Sequence, residues 1–302
     1  MAHNAKAIKL KIKSVANVGK ITKAMEKVSA VKMRRAVAAA LSAREYAYHL
    51  YELLHTLVKH RQMEHAAFVS PKEAVRDLVV IISTDRGLCG GFNVQIQRAV
   101  VGIVGDRAAT TDAICVGRKA EIVAARAGVD VVSSFVGLRE GVAMRDVASI
   151  AGAVRDAFSS GTYRRVWVVY NHFVSALSST PIAYQLLPLS ARDLAQSVER
   201  LSKGRARSSR HADVASLEYS FEPGRAEALD VIVPKAIDAK LYKMLAESRA
   251  CEHSARMVAM KNASENAKSI IEELSVSYNR ARQEAITREI SEIAGAAAAI
   301  TI

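Results

Sequence analysis

The chain has 302 residues, half of them hydrophobic and only 5% aromatic, and carries a formal charge of +13. That is enough apolar material for one or two packed units, with helix-on-helix packing favoured over a broad aromatic core, and the charge calls for an acidic partner: nucleic acid, an anionic membrane surface or acidic loops of other proteins. No apolar run approaches the roughly 20 residues a bilayer-spanning helix needs, and Cys89, Cys115 and Cys251 are too dispersed for a disulfide framework or a zinc site, so a reducing compartment is expected.

From Ala5 to about Arg61 there is no proline, and Gly19 is the only glycine. Apolar residues Ile8, Ile12, Val15, Ile21, Met25, Val28 and Val31 recur at three- and four-residue steps, which predicts one very long helix. Small residues on it (Ala24, Ala30, Ala36, Ala38, Ala39, Ala40) would let a second helix approach closely. Its first half sets Lys6, Lys9, Lys11, Lys13, Lys20, Lys23, Lys27, Lys32, Arg34 and Arg35 against the single acid Glu26. Such a face is either a solvated basic surface or a nucleic-acid footprint, although no aromatic side chains interleave to stack on bases. The lysine-rich start lacks the apolar core of a secretory signal, so none is expected.

After Pro71 the period changes. Short apolar runs at Leu78–Ser83, Ala113–Val116, Val129–Phe135, Arg165–Tyr170 and Ile182–Leu187 read as strands. Helical segments from Val94, at Arg118–Ala127 and at Met144–Phe158 lie between them, so a mainly parallel sheet covered by helices is expected. The turn Thr84–Asn93, with Gly87, Gly90 and Gly91, could point backbone N–H groups at a phosphate. It lacks the lysine and hydroxyl of a P-loop and does not match GxGxxG, so a tight structural turn is the favoured reading. The histidines are scattered, and no GxSxG, HExxH or paired-carboxylate motif occurs. A non-enzyme is therefore expected, with no catalytic, cofactor-binding or metal-binding residues.

Ser190–Asp213 is polar and basic and reads as a surface loop, and Leu217–Phe221 as a closing edge strand before Pro223-Gly224. Helical periodicity then resumes, with Pro234 either kinking it or opening the main helix. No glycine or proline interrupts Glu247–Ala294. Within that stretch Met260, Ala267, Leu274 and Ala281 recur every seventh residue, with Ile271, Tyr278 and Ala285 on a second track. This is the a/d seam of a coiled coil. Beyond it the apolar positions shift to Ile286, Ile290, Ile293 and Ala297, a stutter that turns the stripe toward a different partner.

The expected architecture is an α/β fold in three parts: an N-terminal shaft helix over 1–70, a Rossmann-like domain with a mainly parallel sheet over 71–222, and a C-terminal helix over 223–302. Because the chain enters the domain along one helix and leaves along the other, the two terminal helices pair as an antiparallel coiled coil. The C-terminal tip, with Ile286, Ile290 and Ile293, is left without that partner, and something else must surround it.

Several of these stretches resemble one family. Ile21-Thr22-Lys23-Ala24-Met25 with Lys32-Met33-Arg34-Arg35, the turn from Asp85 to Asn93, Glu252 to Ala263, Tyr278 to Gln283, and Ile286-Thr287 through Ala298 closely resemble the gamma subunit of F-type ATP synthases. The resemblance implies a central-stalk rotor without catalytic chemistry of its own, passing rotation of the membrane c ring to the catalytic beta subunits and so coupling proton translocation to ATP synthesis or hydrolysis. It implies the hexamer of alpha and beta subunits, the epsilon subunit and the c ring as partners, with no cofactor and no nucleic acid. It places rotor–stator contacts on Lys23, Met25, Lys27, Arg256, Arg282 and Gln283, with Thr287, Glu289 and Glu292 coupling the helices or meeting the stator sleeve. Tyr219 and Glu222 fall where the family's foot meets the c ring. The implied location is peripheral, on the cytoplasmic face of a bacterial plasma membrane, with the matrix side of the mitochondrial inner membrane as the alternative. The cysteine-bearing regulatory segment of chloroplast gamma subunits has no counterpart between Ser190 and Glu222. A basic coiled-coil scaffold for nucleic acid is the rival reading.

Overall fold

Short runs rich in apolar and β-branched residues in the middle of the chain build a five-stranded sheet, and glycine-poor stretches at either end build two long helices. The computed structural model describes residues 2–59, 68, 73–139, 144–189 and 224–300. In order these form α1 (Ala2–Lys59), β1 (Arg76–Ile82), α2 (Phe92–Val104), a 3-10 turn (Gly105–Thr110), β2 (Thr111–Val116) and α3 (Arg118–Ala127). They continue with β3 (Asp130–Phe135), α4 (Met144–Ser159), β4 (Tyr163–Ser175), β5 (Ser178–Leu187) and α5 (Arg225–Ile300). Contacts divide the chain into two compact units, residues 31–255 and residues 1–30 with 256–302. Each terminal helix thus contributes to both.

In the larger unit the sheet order is β3-β2-β1-β4-β5, with β1 to β4 parallel and β5 antiparallel to β4. Central strands β1 and β2 are covered on both faces, which is why they read as continuous apolar runs without alternation. One face packs α2 and α3 through Phe92, Ile96, Val100, Val123 and Ala124 against Val79, Ile81, Ala113 and Cys115. The other packs α4, the C-terminal part of α1 and the first turns of α5 against Leu78, Val80, Ile114, Val166 and Val168. Here Ala36 and Ala40 of α1 are buried as close-approach positions, whereas Ala24 and Ala38 face outward. Lys240 of α5 lies 4.8 Å over the Tyr51 ring and 4.3 Å over Tyr184, joining α1, α5 and β5 through buried cation–π contacts.

Glycine is obligatory where α3 begins. Gly117 has φ +89, and a Cβ there would stand 2.6 Å from the Ser83 carbonyl oxygen, so any side chain would collide with the β1 backbone. α3 ends at Gly128 in the left-handed conformation, whose N–H bonds the carbonyls of Ala124 and Ala125. Pro234 is interior to α5, which begins nine residues before it, so it does not open that helix. The strand expected at Leu217–Phe221 and the loop at Ser190–Asp213 lie outside the described residues.

In the smaller unit α1 and α5 form the antiparallel coiled coil. On α5 the covered positions are Met260, Ser264, Ala267, Ile271, Leu274, Tyr278, Ala281 and Ala285, alternating steps of four and three. On α1 they are Ala5, Ile8, Ile12, Val15, Gly19, Thr22, Glu26 and Ser29. The expected α1 stripe is corrected here: Ile21 and Val28 are exposed, at 60% and 51%, and the matching seam positions are the smaller Gly19, Thr22 and Ser29. The reason is close approach. A Cβ added to Gly19 would stand 3.3 Å from the Ala267 Cβ, and Thr22 turns its hydroxyl back onto the Gly19 carbonyl at 3.0 Å, so neither needs a polar partner across the seam.

A larger side chain at residue 19 therefore separates the helices. Gly19→Val is expected to destabilise the coiled coil by about 1–3 kcal/mol in urea melts followed by far-UV circular dichroism, as overpacking does. Gly19→Ala gains about 1 kcal/mol of helix propensity that offsets the tight contact and should lie near wild type. Adding Ala267→Gly to Gly19→Val should restore at least half of the loss, a recovery that only direct apposition of the two positions explains.

Candidate functional site

The outward faces of the smaller unit hold most of the residues singled out from the sequence. Lys23 is exposed and pairs along its own helix with Glu26 at 2.9 Å, Met25 is half-buried beside the seam, and Lys27 is exposed. Arg256, the first α5 residue of this unit, is half-buried. Arg282, Gln283, Thr287, Glu289 and Glu292 are all exposed, with Glu292 3.6 Å from Arg288 one turn earlier. The seam's covered positions stop at Ala285. Directly after it Ile286, Ile290 and Ile293 stand 43%, 61% and 65% exposed, an apolar stripe at helical spacing without cover from the described residues. Leu10, Val18, Ile21 and Val28 add open apolar positions on α1 among the lysines. The side chains of 295–300 and the residues Tyr219 and Glu222 lie outside what is described.

At the C-terminal ends of the strands the glycine-rich turn is held by its own polar groups. Asp85 accepts the backbone N–H of Arg118 at 3.0 Å and of Gly137 at 3.3 Å, joining the turn to the starts of α3 and of the segment after β3. Ser83 donates to Asn93 at 2.7 Å, Thr84 donates to the Arg86 carbonyl at 2.8 Å, and the Asn93 amide reaches the buried Cys89 sulfur at 3.4 Å. Leu88 at φ +63 and Gly90 at φ +55 carry the reversal and leave Leu88 exposed at the tip. These contacts make the segment a structural turn that presents a single apolar side chain.

The residues that sequence reasoning missed lie where α5 grips the sheet. His172 of β4 bonds Glu247 at 2.8 Å, the Cys251 thiol bonds the Asn171 carbonyl at 3.4 Å, and the Ser254 hydroxyl bonds the Ala176 carbonyl at the β4–β5 hairpin. Positions 247, 251 and 254 share one helix face, so the strand and its hairpin are fastened along nearly two turns. Lys243, one turn before Glu247, adds an ion pair at 3.3 Å. On the neighbouring face Arg249 pairs with Glu252 at 2.8 Å and reaches Asp85 at 3.8 Å, tying α5 to the glycine-rich turn. The available signal was weak: Glu247, Cys251 and Ser254 at helical spacing, within a stretch that also carries Ser248, Arg249, Glu252 and His253.

Burial raises the Glu247 carboxyl, but the bond from His172 and the charge of Lys243 outweigh it and hold the group below its ordinary 4.5. Burial, reinforced by the Glu247 charge, pushes the Cys251 thiol up to about 12, and burial does the same for Cys115, so both are protonated packing groups at neutral pH. Among the described residues no group of His, Cys, Asp and Glu could hold a metal ion, and no helix is long and apolar enough to cross a membrane.

The model of a family described as ATP synthase matches residues 4–300. The chain is 38% identical over 293 residues to the ATP synthase gamma chain of Pelotomaculum thermopropionicum, covering 97% of this chain and 98% of that one. It is 37% identical over 302 residues to the ATP synthase gamma chain of Ralstonia nicotianae, with 98% and 99% covered. Among solved structures it resembles a chain of the Tetrahymena thermophila mitochondrial ATP synthase central stalk and c ring, at 27% identity and TM-score 0.59, covering 81% of this chain and 99% of that one. A chain of the Euglena gracilis mitochondrial ATP synthase shares the fold at 20% identity and TM-score 0.68, with 99% and 95% covered.

The grip of α5 on the sheet has a pH signature. With its folded value depressed, Glu247 contributes stability that is present in full above its ordinary 4.5 and is lost as pH falls through the lower folded value. Glu247→Gln, which leaves Lys243 and His172 without their carboxylate, should cost about 3 kcal/mol at neutral pH in denaturant melts. The gap between wild type and variant should close as the melts are repeated at pH values progressively below 4.5.

Proposed function

The chain belongs to the ATP synthase gamma chain family, and on that premise we propose how its surfaces serve the machine. It is the central-stalk rotor subunit of an F-type ATP synthase, transmitting rotation of the membrane c ring to the catalytic beta subunits and coupling proton translocation to ATP synthesis or hydrolysis. Its partners are the alpha and beta subunits and the c ring.

The observation that carries the finer reading is the end of the seam. Ile286, Ile290 and Ile293 stand open just where α1 no longer covers α5, so this tip turns inside the sleeve of alpha and beta subunits. Lys23, Met25 and Lys27 on α1 and Arg256, Arg282 and Gln283 on α5 meet acidic segments of the beta subunits. Thr287, Glu289 and Glu292 face the sleeve beyond them, and Tyr219 and Glu222 meet the c ring. The epsilon subunit binds the α/β unit, and the subunit does no chemistry by itself. The three-part division at 70 and 222 separates shaft from foot in this mechanism. Turning force applied to the sheet enters α5 through His172–Glu247, Asn171–Cys251 and Ala176–Ser254, then follows the same helix onward. The protein sits at the cytoplasmic face of a bacterial plasma membrane, a reading supported by the bacterial relatives it matches.

Reconstitution with alpha and beta subunits tests this. The full chain should form a stable complex with them on size-exclusion chromatography, and absence of that complex would remove the reading. Exposed ion pairs contribute about 0–1 kcal/mol each, so Lys23→Ala should lower ATP turnover less than about fivefold. Arg282→Ala with Gln283→Ala should lower it further. Ile271→Pro, which breaks the seam inside α5 at a cost of about 3 kcal/mol or more, should abolish assembly or coupling.

A further inference from the structure

The N-terminal ends of β1, β2 and β4 carry a cluster of arginines that none of the surfaces above uses. Strand register places Asp77 of β1 between Thr111 of β2 and Arg165 of β4. The Asp77 side chain is only 6% exposed, and three guanidinium groups converge on it. Arg165 donates through Nε at 3.3 Å and Nη2 at 3.0 Å, Arg107 donates through Nη1 at 3.1 Å, and Arg164 approaches through Nε at 3.5 Å. Neighbouring Asp112 supplies no balancing charge, because it is closed by Arg76 in a two-pronged pair and by the Tyr163 hydroxyl at 2.8 Å.

Three guanidinium groups thus share one carboxylate. Arg107 uses its other terminal nitrogen on the Ile103 carbonyl at 2.9 Å, and Arg165 also lies against the Trp167 ring. Arg164 is spent least: its buried Nε lacks a hydrogen-bond acceptor, and among the described residues its terminal nitrogens have no partner. The side chains of Arg107, Arg164 and Arg165 are 47%, 42% and 29% exposed, so part of each reaches solvent, and among the described residues Arg164 keeps both terminal nitrogens unspent. Just ahead of this cluster in the chain Val75 is 74% exposed.

We propose that Arg107, Arg164 and Arg165 form a binding site for the phosphate groups of anionic phospholipids at a bilayer surface. The free guanidinium fork of Arg164 matches phosphate oxygens, and Asp77 holds Arg107 and Arg165 beside it in advance, so little side-chain order has to be gained on binding. An anionic leaflet offers several phosphates to several arginines at once. Val75, one residue before β1, supplies an exposed apolar side chain for the headgroup boundary, which an acidic peptide would not require. The proposal stands independently of the rotor reading.

Co-sedimentation of the full chain with phosphatidylcholine vesicles, with and without phosphatidylglycerol, tests it. Binding should require phosphatidylglycerol, and Arg164→Gln, which removes no hydrogen bond, should weaken it about fivefold, as expected for one basic residue at an anionic surface. Arg107→Gln with Arg164→Gln should weaken it further while Asp77 keeps Arg165, and circular dichroism should show an unchanged fold. Lys6→Gln with Lys9→Gln removes the same net charge from exposed positions of α1 and should have a clearly smaller effect. Equal losses in the arginine and lysine variants would overturn the site, as would equal binding to vesicles lacking phosphatidylglycerol. Calorimetry with inorganic phosphate separates the sources: tight binding that Arg164→Gln abolishes would make this a free-phosphate site and overturn the lipid assignment. Arginine-dependent retention on immobilised polyglutamate without vesicle binding would overturn it in favour of an acidic protein.

Discussion

A helix of 76 residues cannot stabilise itself, and the constraint that orders this protein is that α5 must find a new partner each time one runs out. Its first turns bury Val233, Ala236, Ile237, Leu241 and Met244 against the sheet and α1. Around residues 247–254 the apolar contacts are joined by hydrogen bonds and an ion pair to β4 and its hairpin. From Met260 to Ala285 the partner is α1, through a seam that mixes small residues such as Gly19, Ser264 and Ala267 with Ile8, Ile12, Ile271 and Leu274. Past Ala285 the chain supplies none, and the apolar face at Ile286, Ile290 and Ile293 remains open. Each change of partner changes the chemistry of the helix face, from bulky aliphatic, to polar, to mixed small and aliphatic, to exposed isoleucine.

Much of this could be seen in the sequence because it is periodic. The heptad through Met260, Ala267, Leu274 and Ala281 and the apolar runs of β1 and β2 are local signals, and each element formed where its pattern lay. Three things were not legible. On α1 the bulky Ile21 and Val28 drew the eye to the wrong side of the helix, because at close approach a seam selects for smallness and the groove is filled by Gly19, Thr22 and Ser29. The fastening of α5 to β4 joins residues some 75 to 80 positions apart, His172 to Glu247 and Asn171 to Cys251, and no local period announces such a pair. The arginines at the sheet's N-terminal end were hidden for the same reason, since only strand register brings Arg107, Arg164 and Arg165 around Asp77.

The exposed apolar residues of the smaller unit acquire a meaning from their surroundings. On α1 Leu10, Val18, Ile21 and Val28 are scattered among lysines, whereas on α5 the three isoleucines follow each other at helical spacing. The first arrangement offers separated apolar points with charge between them; the second presents a continuous greasy track. A track of that kind gives contact without fixed polar geometry, so it can be carried past successive neighbours without a hydrogen bond having to be broken at each step. A shaft that must turn inside a sleeve needs this property at its tip.

The placement of charge follows the same division. Four ion pairs of the smaller unit, Lys23–Glu26, Lys261–Glu265, Arg280–Glu284 and Arg288–Glu292, lie within one helix at three- or four-residue spacing, each with at least one exposed partner. Pairs of this type are worth a few tenths of a kcal/mol, so exchanging one for an ion pair with another subunit costs the fold almost nothing. The pairs of Glu247, Asp77 and Asp112 are buried on the acid's side and bridge different elements, where removing the acid leaves its cationic partners unpaired and costs several kcal/mol. The exposed charges of the shaft are thus held by weak, local pairs, while those that bind the sheet to itself and to α5 are held by buried pairs between elements.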